Sequence, residues 1–542
     1  MTQPNPAPSA LLKEAIALHT AGRLGEAETK YCELLGKNNN CADALHLLGT
    51  LRYQQGNAVT AIEFIERAIA ISPTVPEMHL NLGAAYRASG QAVKAAQSFR
   101  KARELNPSLS IASFNLGHAL RDAGDLSAAL SAYKIYLGAN PKDAKAHNLV
   151  GDVCKELGKH HEAIEAYETA LTIDANRPGA MSNIAALFRD LGWPYAARVV
   201  MNRALELAPT DPDILRTHGT LSLLIGDIET GWRGLENRFQ TTAEAVPSRS
   251  IPPIVWGGED LSGKSIIVWT EQGLGDEVLH ASILHEVIAR ADRCIVECSE
   301  RMVPVFARSF PSAEVVGCKA PDSPVTPPEG IDYQIPIGSL GLHFRPDFAR
   351  FPKHEGYLRA DPAKVNDLRR RYEDMAGGRR IVGLSWRSKN ERIGEAKSTG
   401  LSGFAPIFQT PGVMFVNLQY GECSEELAEV RERFGVEVVQ DQTVDPIKDM
   451  DAFFAQVAAM DLVLSTSNTT AHVAGAQNIP VWVLLPHGKG VIWYWFLRRS
   501  DSPWYPSARL IRTDHKLDEG QARWLDLAKR TADDLAHWAQ GT

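Results

Sequence analysis

Three short stretches of this 542-residue chain hold side chains whose types and spacing could do chemistry. In Glu271-Gln-Gly-Leu-Gly-Asp276, Gly273 and Gly275 let a ligand approach the backbone, and Asp276 is a carboxylate that could take a proton from a reacting hydroxyl. In Gly383-Leu-Ser-Trp-Arg-Ser-Lys-Asn390 and the residues just beyond, Arg387, Lys389, Arg392 and Lys397 offer positive charge for a diphosphate. In Asp461 to Ala476 an apolar run enters a cluster of hydroxyl and amide groups, Ser467, Asn468, Thr469 and Thr470, with His472 one turn further on. A helix beginning near Thr469 would present free N–H groups and the positive end of its dipole to a phosphate. Each stretch also has a plain structural reading: an aspartate at a helix start stabilises the helix, a lone surface cation is solvated, and His472 can either reach the anion or pack.

These motifs need elements to hold them. Ser265 to Thr270 is a short run rich in Ile and Val, followed by the glycine turn and by helical spacing over Asp276 to Ala289, which is the opening of an α/β unit. Arg293 to Ser299 and Asp332 to Pro336 read as further strands. A second series of strands runs through Arg380 to Trp386, Val413 to Gln419, Val436 to Val439, Asp461 to Ser465 and Val481 to Leu485. Helical stretches such as Asp451 to Met460 alternate with them. Two Rossmann-like halves joined near residues 358 to 378 are predicted, and the cations of the second motif then lie at the carboxyl end of a parallel strand, where such sheets bind ligands.

The first half of the chain is a repeat. Glycine recurs at 22, 56, 90, 124, 158, 192 and 226, a spacing of 34, and a second phase of small residues runs through Gly49, Gly83, Gly117, Gly151, Ala185 and Gly219. Proline follows in phase at 73, 107, 141 and 209. The second phase would let one helix approach its partner closely, the first would end that helix in a conformation larger side chains resist, and proline would stop the partner. Asn81, Asn115 and Asn183 share one phase, interrupted by Leu47, Leu149 and Thr217, and such a row of amides could hydrogen-bond the main chain of an extended peptide.

Composition bounds the function. The net charge of −8 argues against polyanion binding as the main task, so no nucleic acid is expected. No apolar run approaches the length of a membrane span, the start does not read as a secretory signal, and seven scattered cysteines without a C-x-x-C pair suit a reducing, cytoplasmic setting. Asp449-Met-Asp451 matches a metal motif of glycosyltransferases of another fold but opens a helix, and His280 and His285 are poorly spaced as ligands, so no metal is expected.

The repeats resemble the tetratricopeptide family, whose unit is two antiparallel helices, and the asparagine phase is similar to the row lining the peptide-recruiting superhelix of O-GlcNAc transferase. The later motifs, in their order, resemble the GT-B glycosyltransferases: the G-L-G-D turn looks like the heptosyltransferase entry motif, and S-N-T-T-A-H-V-A-G-A is similar to the nucleotide-sugar diphosphate helix of repeat-containing bacterial transferases. Trp256-Gly-Gly, Asn417-Leu-Gln-Tyr-Gly421 and Asp501-Ser-Pro-Trp-Tyr-Pro506 extend the likeness over most of residues 250 to 513. Heptosyltransferases usually carry aspartate near Ser467 or Asn468, so the sequence sides with the protein-modifying branch. The resemblance implies an N-terminal α-solenoid of about seven tetratricopeptide repeats over 8–241, followed by a GT-B fold with halves at 250–357 and 379–542. It implies transfer from a nucleotide-sugar donor, without a cofactor, to Ser or Thr of a protein, flagellin or another surface protein being a client of that family type. Asp276 would be the base; Gly273, Gly275, Arg387, Lys389, Lys397, Gln419, Tyr420, Ser467, Asn468, Thr469, Thr470 and His472 would bind the donor; Asn81, Asn115 and Asn183 would bind the acceptor. The alternatives are a transferase acting on lipopolysaccharide or another glycan, and an inactive adaptor.

Overall fold

A computed structural model of the chain describes residues 10–241, 254–271, 273–319, 330–390, 393–514 and 520–541. The chain forms two compact units that divide after Ile184. The predicted linker prolines, Pro247, Pro252 and Pro253, lie outside the described residues, as does Arg392.

The first unit consists of helical hairpins: Ala10–Thr20 with Leu24–Lys37, Ala42–Gln54 with Ala58–Ile71, Pro76–Ala88 with Ala92–Leu105, Ser110–Asp122 with Leu126–Ala139, and Ala144–Glu156 with His160–Ile173. The repeat glycines do what their phase predicts. Gly22, Gly56, Gly90, Gly124 and Gly158 have φ between +74° and +83°, and each follows the first helix of its hairpin. The other phase is a contact point: a Cβ at Gly117 would stand 2.5 Å from the Tyr133 ring, and one at Gly151 2.5 Å from the Tyr167 ring. Those rings and Phe99 are buried where the missing side chains would be. These hairpins are tetratricopeptide-type repeats.

The asparagine row is only partly free. Asn81 donates to His46 Nε2 (2.8 Å) and Thr50 Oγ1 (3.1 Å), and Asn183 donates to Asn148 Oδ1 (3.4 Å) and Asp152 Oδ1 (2.8 Å). Both amides therefore brace their repeat against the first helix of the preceding one. The residues that correspond to those acceptors for Asn115 are Leu80 and Ala84, which have no side-chain acceptor to offer, and its half-buried amide has no side-chain partner among the described residues. In the expected row, then, the amide donors of Asn81 and Asn183 are engaged within the repeats and those of Asn115 are not. Asn115→Ala should leave the urea midpoint of the chain unchanged, whereas Asn81→Ala and Asn183→Ala should each cost about 1–2 kcal/mol, because they orphan half-buried partners.

The second unit begins with the remaining repeat helices, Pro194–Leu207, Pro212–Ile225 and Ile228–Leu235, preceded by the end of the helix Pro178–Asp190. The sequence reading sets a boundary between 241 and 250, but compactness places these helices with the α/β segment. The cause is visible at Trp232, which donates from Nε1 to the Arg345 carbonyl at 2.8 Å and packs among Gly341, His280, Trp493 and Trp504. One hydrophobic core thus runs from the last hairpin into the sheets.

Two all-parallel sheets follow. The first has the order β1-β5-β2-β3-β4, with β1 Ile254–Val255, β2 Ser265–Trp269, β3 Arg293–Ser299, β4 Glu314–Cys318 and β5 Tyr333–Pro336. The second has the order β11-β10-β9-β6-β7-β8, with β6 Arg380–Ser385, β7 Val413–Asn417, β8 Val438–Val439, β9 Leu462–Thr466, β10 Val481–Leu485 and β11 Ala508–Arg512. Strands β2, β6, β9 and β10 are buried almost throughout, as runs covered on both faces must be. The helix Pro362–Ala376 occupies the stretch that joins the two sheets. No described helix is long and apolar enough to cross a membrane.

Candidate active site

The cleft is assembled from loops that leave the carboxyl ends of strands. After β2 the chain turns into the helix Leu274–His280, with Gly273 as its N-cap and Asp276 as its third residue. From the second sheet, the loop after β6 contributes Ser388 and Lys397, the loop after β7 contributes Tyr420, and the turn after β9 contributes Asn468 and Thr469. His472 follows on the helix Thr469–Ala476, and the segment beyond β10 supplies Trp493 and Tyr494. With Gly273, Gly275 and Asp276 these residues line one cavity of 440 Å³.

Burial dominates the electrostatics of the cleft. Burial pushes the Asp276 carboxyl up to about 7, with the charge of Glu271 adding to the effect and Lys397 opposing it. Burial lowers the Lys397 ammonium to about 8, opposed by Asp276. The cleft therefore holds a carboxyl close to half ionised at neutral pH and a mostly protonated lysine that is itself buried. Perturbed pairs of this kind gather where proton transfer or charge neutralisation is needed.

His472 is a neutral ring. Its Nδ1 lies 2.7 Å from the Tyr505 hydroxyl, and Nε2 lies on the ring edge that faces Gly275. Burial lowers this imidazole to about 3, and the ring stacks on Trp495 with centroids 5.3 Å apart. Any contact it makes to a donor phosphate is therefore that of a neutral hydrogen-bonding group and not of a cation. The ring ¹⁵N shifts of His472 should show no titration near neutral pH; a mid-range titration would remove this assignment.

The other predicted donor ligands divide clearly. Gly273, Gly275, Lys397, Tyr420, Asn468 and Thr469 line the cleft. Asn468 is also the helix cap, accepting from Thr470 N–H at 3.0 Å and donating to Ser385 Oγ at 2.8 Å. Thr470 is fully buried with its hydroxyl bonded to Ser385, and the Ser467 hydroxyl accepts from Trp495 Nε1 at 2.8 Å. Gln419 is buried and accepts from the N–H groups of Trp386 and Arg387, both at 3.0 Å. Arg387 pairs with Glu426 at 2.5 Å and donates to the Glu422 carbonyl. Thr470, Ser467, Gln419 and Arg387 therefore shape the turns and do not line the cleft; Lys389, exposed over Gly421, does not line it either. What the sequence reading missed is the aromatic wall of Trp493 and Tyr494, whose signal was the unbroken aromatic run Trp493-Tyr494-Trp495-Phe496. Asp449 caps the helix Met450–Ala458 through Ala452 N–H, and Asp451 pairs with Arg308 and Lys364, both at 2.8 Å.

With this geometry in hand, known proteins are informative. Residues 5–241 match the family described as the cilia and flagella-associated protein 70 C-terminal domain, a tetratricopeptide-type family. The chain is 34% identical over 356 residues to protein FlbA of Caulobacter vibrioides, a match spanning 62% of this chain and 58% of that protein. That is more of the chain than the repeats occupy, so the likeness runs on into the α/β segment. Among solved structures, MamA is similar at 23% identity over 30% of this chain and 94% of its own, with a TM-score of 0.29, and MamA of Desulfovibrio magneticus RS-1 at 20% over 31% and 96%, with a TM-score of 0.30. Residues 5–241 thus match a tetratricopeptide-type family, the chain is similar to FlbA over 356 residues, and the repeats precede an α/β segment with its own cleft.

Proposed function

We propose that the chain is a metal-independent glycosyltransferase that moves a sugar from a nucleotide-diphosphate donor to a Ser or Thr hydroxyl of a protein held by the repeats. The observation that carries the reading is the convergence of Asp276, Lys397 and the start of the helix Thr469–Ala476 on one cleft between two parallel sheets. In the reaction the acceptor oxygen forms a bond to the anomeric carbon while the bond from that carbon to the diphosphate oxygen breaks. The electron pair leaves on the diphosphate, where Lys397 and the helix N–H groups neutralise it, and the acceptor proton passes to the ionised Asp276. The neutral His472 ring hydrogen-bonds a donor or acceptor hydroxyl and so orients it. The helix belongs to a GT-B-like arrangement in this reading, and flagellin or another surface protein is the proposed client class.

The repeats support a protein acceptor, since the Asn115 amide has no side-chain partner among the described residues and is open to a main chain. Intact-mass measurement of a co-expressed flagellin, with and without this chain, tests the reading: a sugar-sized increment that requires Asp276 supports it. An increment on a lipid-linked glycan and none on protein would favour the glycan-acceptor alternative.

A further inference from the structure

The cleft has two unlike sides, one on each flank of the turn after β9. In the second sheet β10 borders β9 on one flank, and β6, followed by β7, borders it on the other. The loops after β6 and β7 bring polar groups, Ser388, Asn390, Lys397 and Tyr420, whereas the segment after β10 brings Ile492, Trp493 and Tyr494. Burial, with the charge of Asp276 adding to it, holds the Tyr494 phenol above its ordinary range, so the aromatic side is the one beside the base. In the transferase reading the base lies next to the carbon at which the bond changes. The aromatic side then receives the transferred sugar, and the polar side is left to the nucleoside.

Trp493 differs from the tryptophans packed around it. The Nε1–H of Trp232 is committed to the Arg345 carbonyl, that of Trp495 to the Ser467 hydroxyl, and that of Trp504 is sealed from solvent. The Trp493 N–H has no acceptor among the described residues and is not sealed, and the side chain is half-buried with the cleft before it. Its ring is held by others: Trp232 at 5.2 Å, Tyr494 at 5.4 Å and Trp504 at 6.3 Å between centroids, all close to perpendicular to it, and His280 at 6.3 Å. The segment that carries it is also fastened to the last repeat helices, by the Lys489 N–H to the Asp190 carbonyl (2.9 Å) and the Leu497 N–H to the Leu224 carbonyl (3.0 Å). A ring fixed in this way loses little freedom when a ligand packs on it.

We propose that Trp493 is the donor-sugar contact of the cleft and the residue that tells one nucleotide sugar from another: a pyranose packs its C–H face on the indole, and one of its hydroxyls accepts from the indole N–H. An indole suits such a ligand because it joins a broad apolar surface to a single donor. The inference rests on the transferase reading and deepens it.

Calorimetry on the full chain tests this with UDP-N-acetylglucosamine, GDP-mannose and dTDP-rhamnose, each compared with its bare nucleotide, UDP, GDP or dTDP. The informative quantity is the ratio of the two affinities, because the share of the nucleotide cancels in it. For the nucleotide sugar that binds the wild type most tightly, Trp493→Ala should lower this ratio about tenfold and leave the affinity for the bare nucleotide unchanged. Trp493→Phe, which keeps a ring but has no N–H, should lower it about threefold. The inference is overturned if the ratio survives Trp493→Ala, or if the bare nucleotide loses as much affinity as its sugar, which would place the indole on the nucleoside. It is overturned as well if the ratio stands while modification of a co-expressed flagellin falls, which would place the indole on the acceptor. Failure of the transferase reading looks different: the wild type then binds none of the six probes, and the inference falls with it. Should Trp493→Ala fail to fold, Trp493→Phe decides, and an unchanged ratio in it overturns the assignment.

Discussion

Replacing Asp276 by asparagine should lower turnover by about 10²- to 10⁴-fold while leaving donor affinity unchanged and making the protein more stable at pH 8. The three effects have one cause. Burial and the nearby charge of Glu271 hold the carboxyl at about 7, far above the aspartate range, so ionising it in the folded state is unfavourable. The unfolded chain loses that proton near pH 4, the folded chain near 7, and between those values the native state binds more protons than the unfolded one. Wild-type stability therefore falls as pH rises through this window, and the asparagine variant, which has nothing to ionise, should not show the fall. The gap between the two proteins should be absent below pH 4 and reach on the order of 2 kcal/mol above pH 7. Turnover runs the other way at first: a base must be ionised, so kcat/KM of the wild type should rise with pH through about 7, and it should fall again above about 8, where Lys397 loses the charge that neutralises the diphosphate. Urea titrations at pH 4 and pH 8, together with a pH–rate profile, check both limbs. Normal turnover by Asp276→Asn would remove the base assignment even if the stability difference were found.

That site was legible where backbone geometry and residue type coincide. Gly273, Gly275 and Asp276 form a turn that follows β2, and Asn468 caps a helix that follows β9; strand, turn and cap chemistry each predict those placements from local sequence, and the cleft contains them. Arg387, Gln419, Ser467 and Thr470 have the same residue types but face inward, because their partners, Glu426, the Trp386 and Arg387 N–H groups, Trp495 and Ser385, are brought to them by the fold. A local pattern does not tell a hydroxyl that meets a ligand from one that meets another hydroxyl. His472 shows this most clearly, since its ring is walled by Tyr494, Trp495 and Tyr505, which are 22, 23 and 33 residues away in the chain.

The fold followed the same division. β3 and β10 match their predicted bounds, and both lie inside their sheets, where continuous apolar runs announce a strand. The strands not foreseen, β1, β4 and β11, are edge strands that are very short or interrupted by polar residues, such as Ala-Arg-Leu-Ile-Arg in β11, and so lack that signal. The repeat was read most fully because its evidence is redundant: one glycine with positive φ proves little, and seven in phase dictate the hairpin.

The second large effect is expected at Arg238, behind the cleft. Its guanidinium is 3% exposed and donates to Glu271 through Nε (2.6 Å) and Nη2 (2.8 Å), and Glu271 also accepts from the Gly338 N–H at 2.9 Å. Arg238 stands on the turn that follows the last repeat helix, so this buried pair fastens that turn to the loop carrying the glycine motif. Arg238→Met should cost about 3–5 kcal/mol, because it strands a buried carboxylate rather than merely losing a bond. Glu271→Gln should cost less, because the guanidinium keeps its pair with Glu236 at 3.0 Å and the new amide oxygen can still accept from it. The two variants differ at Asp276. An unpaired Glu271 repels the ionised Asp276 more strongly, so Arg238→Met should move the rising limb of the pH–rate profile to higher pH. Removing the Glu271 charge should move it to lower pH. A purely structural ion pair would weaken both proteins and shift neither limb, and shifts in the same direction would contradict the electrostatic coupling. Replacing both partners by methionine should recover most of the lost stability, since no buried charge remains, while keeping the acid-shifted limb of Glu271→Gln.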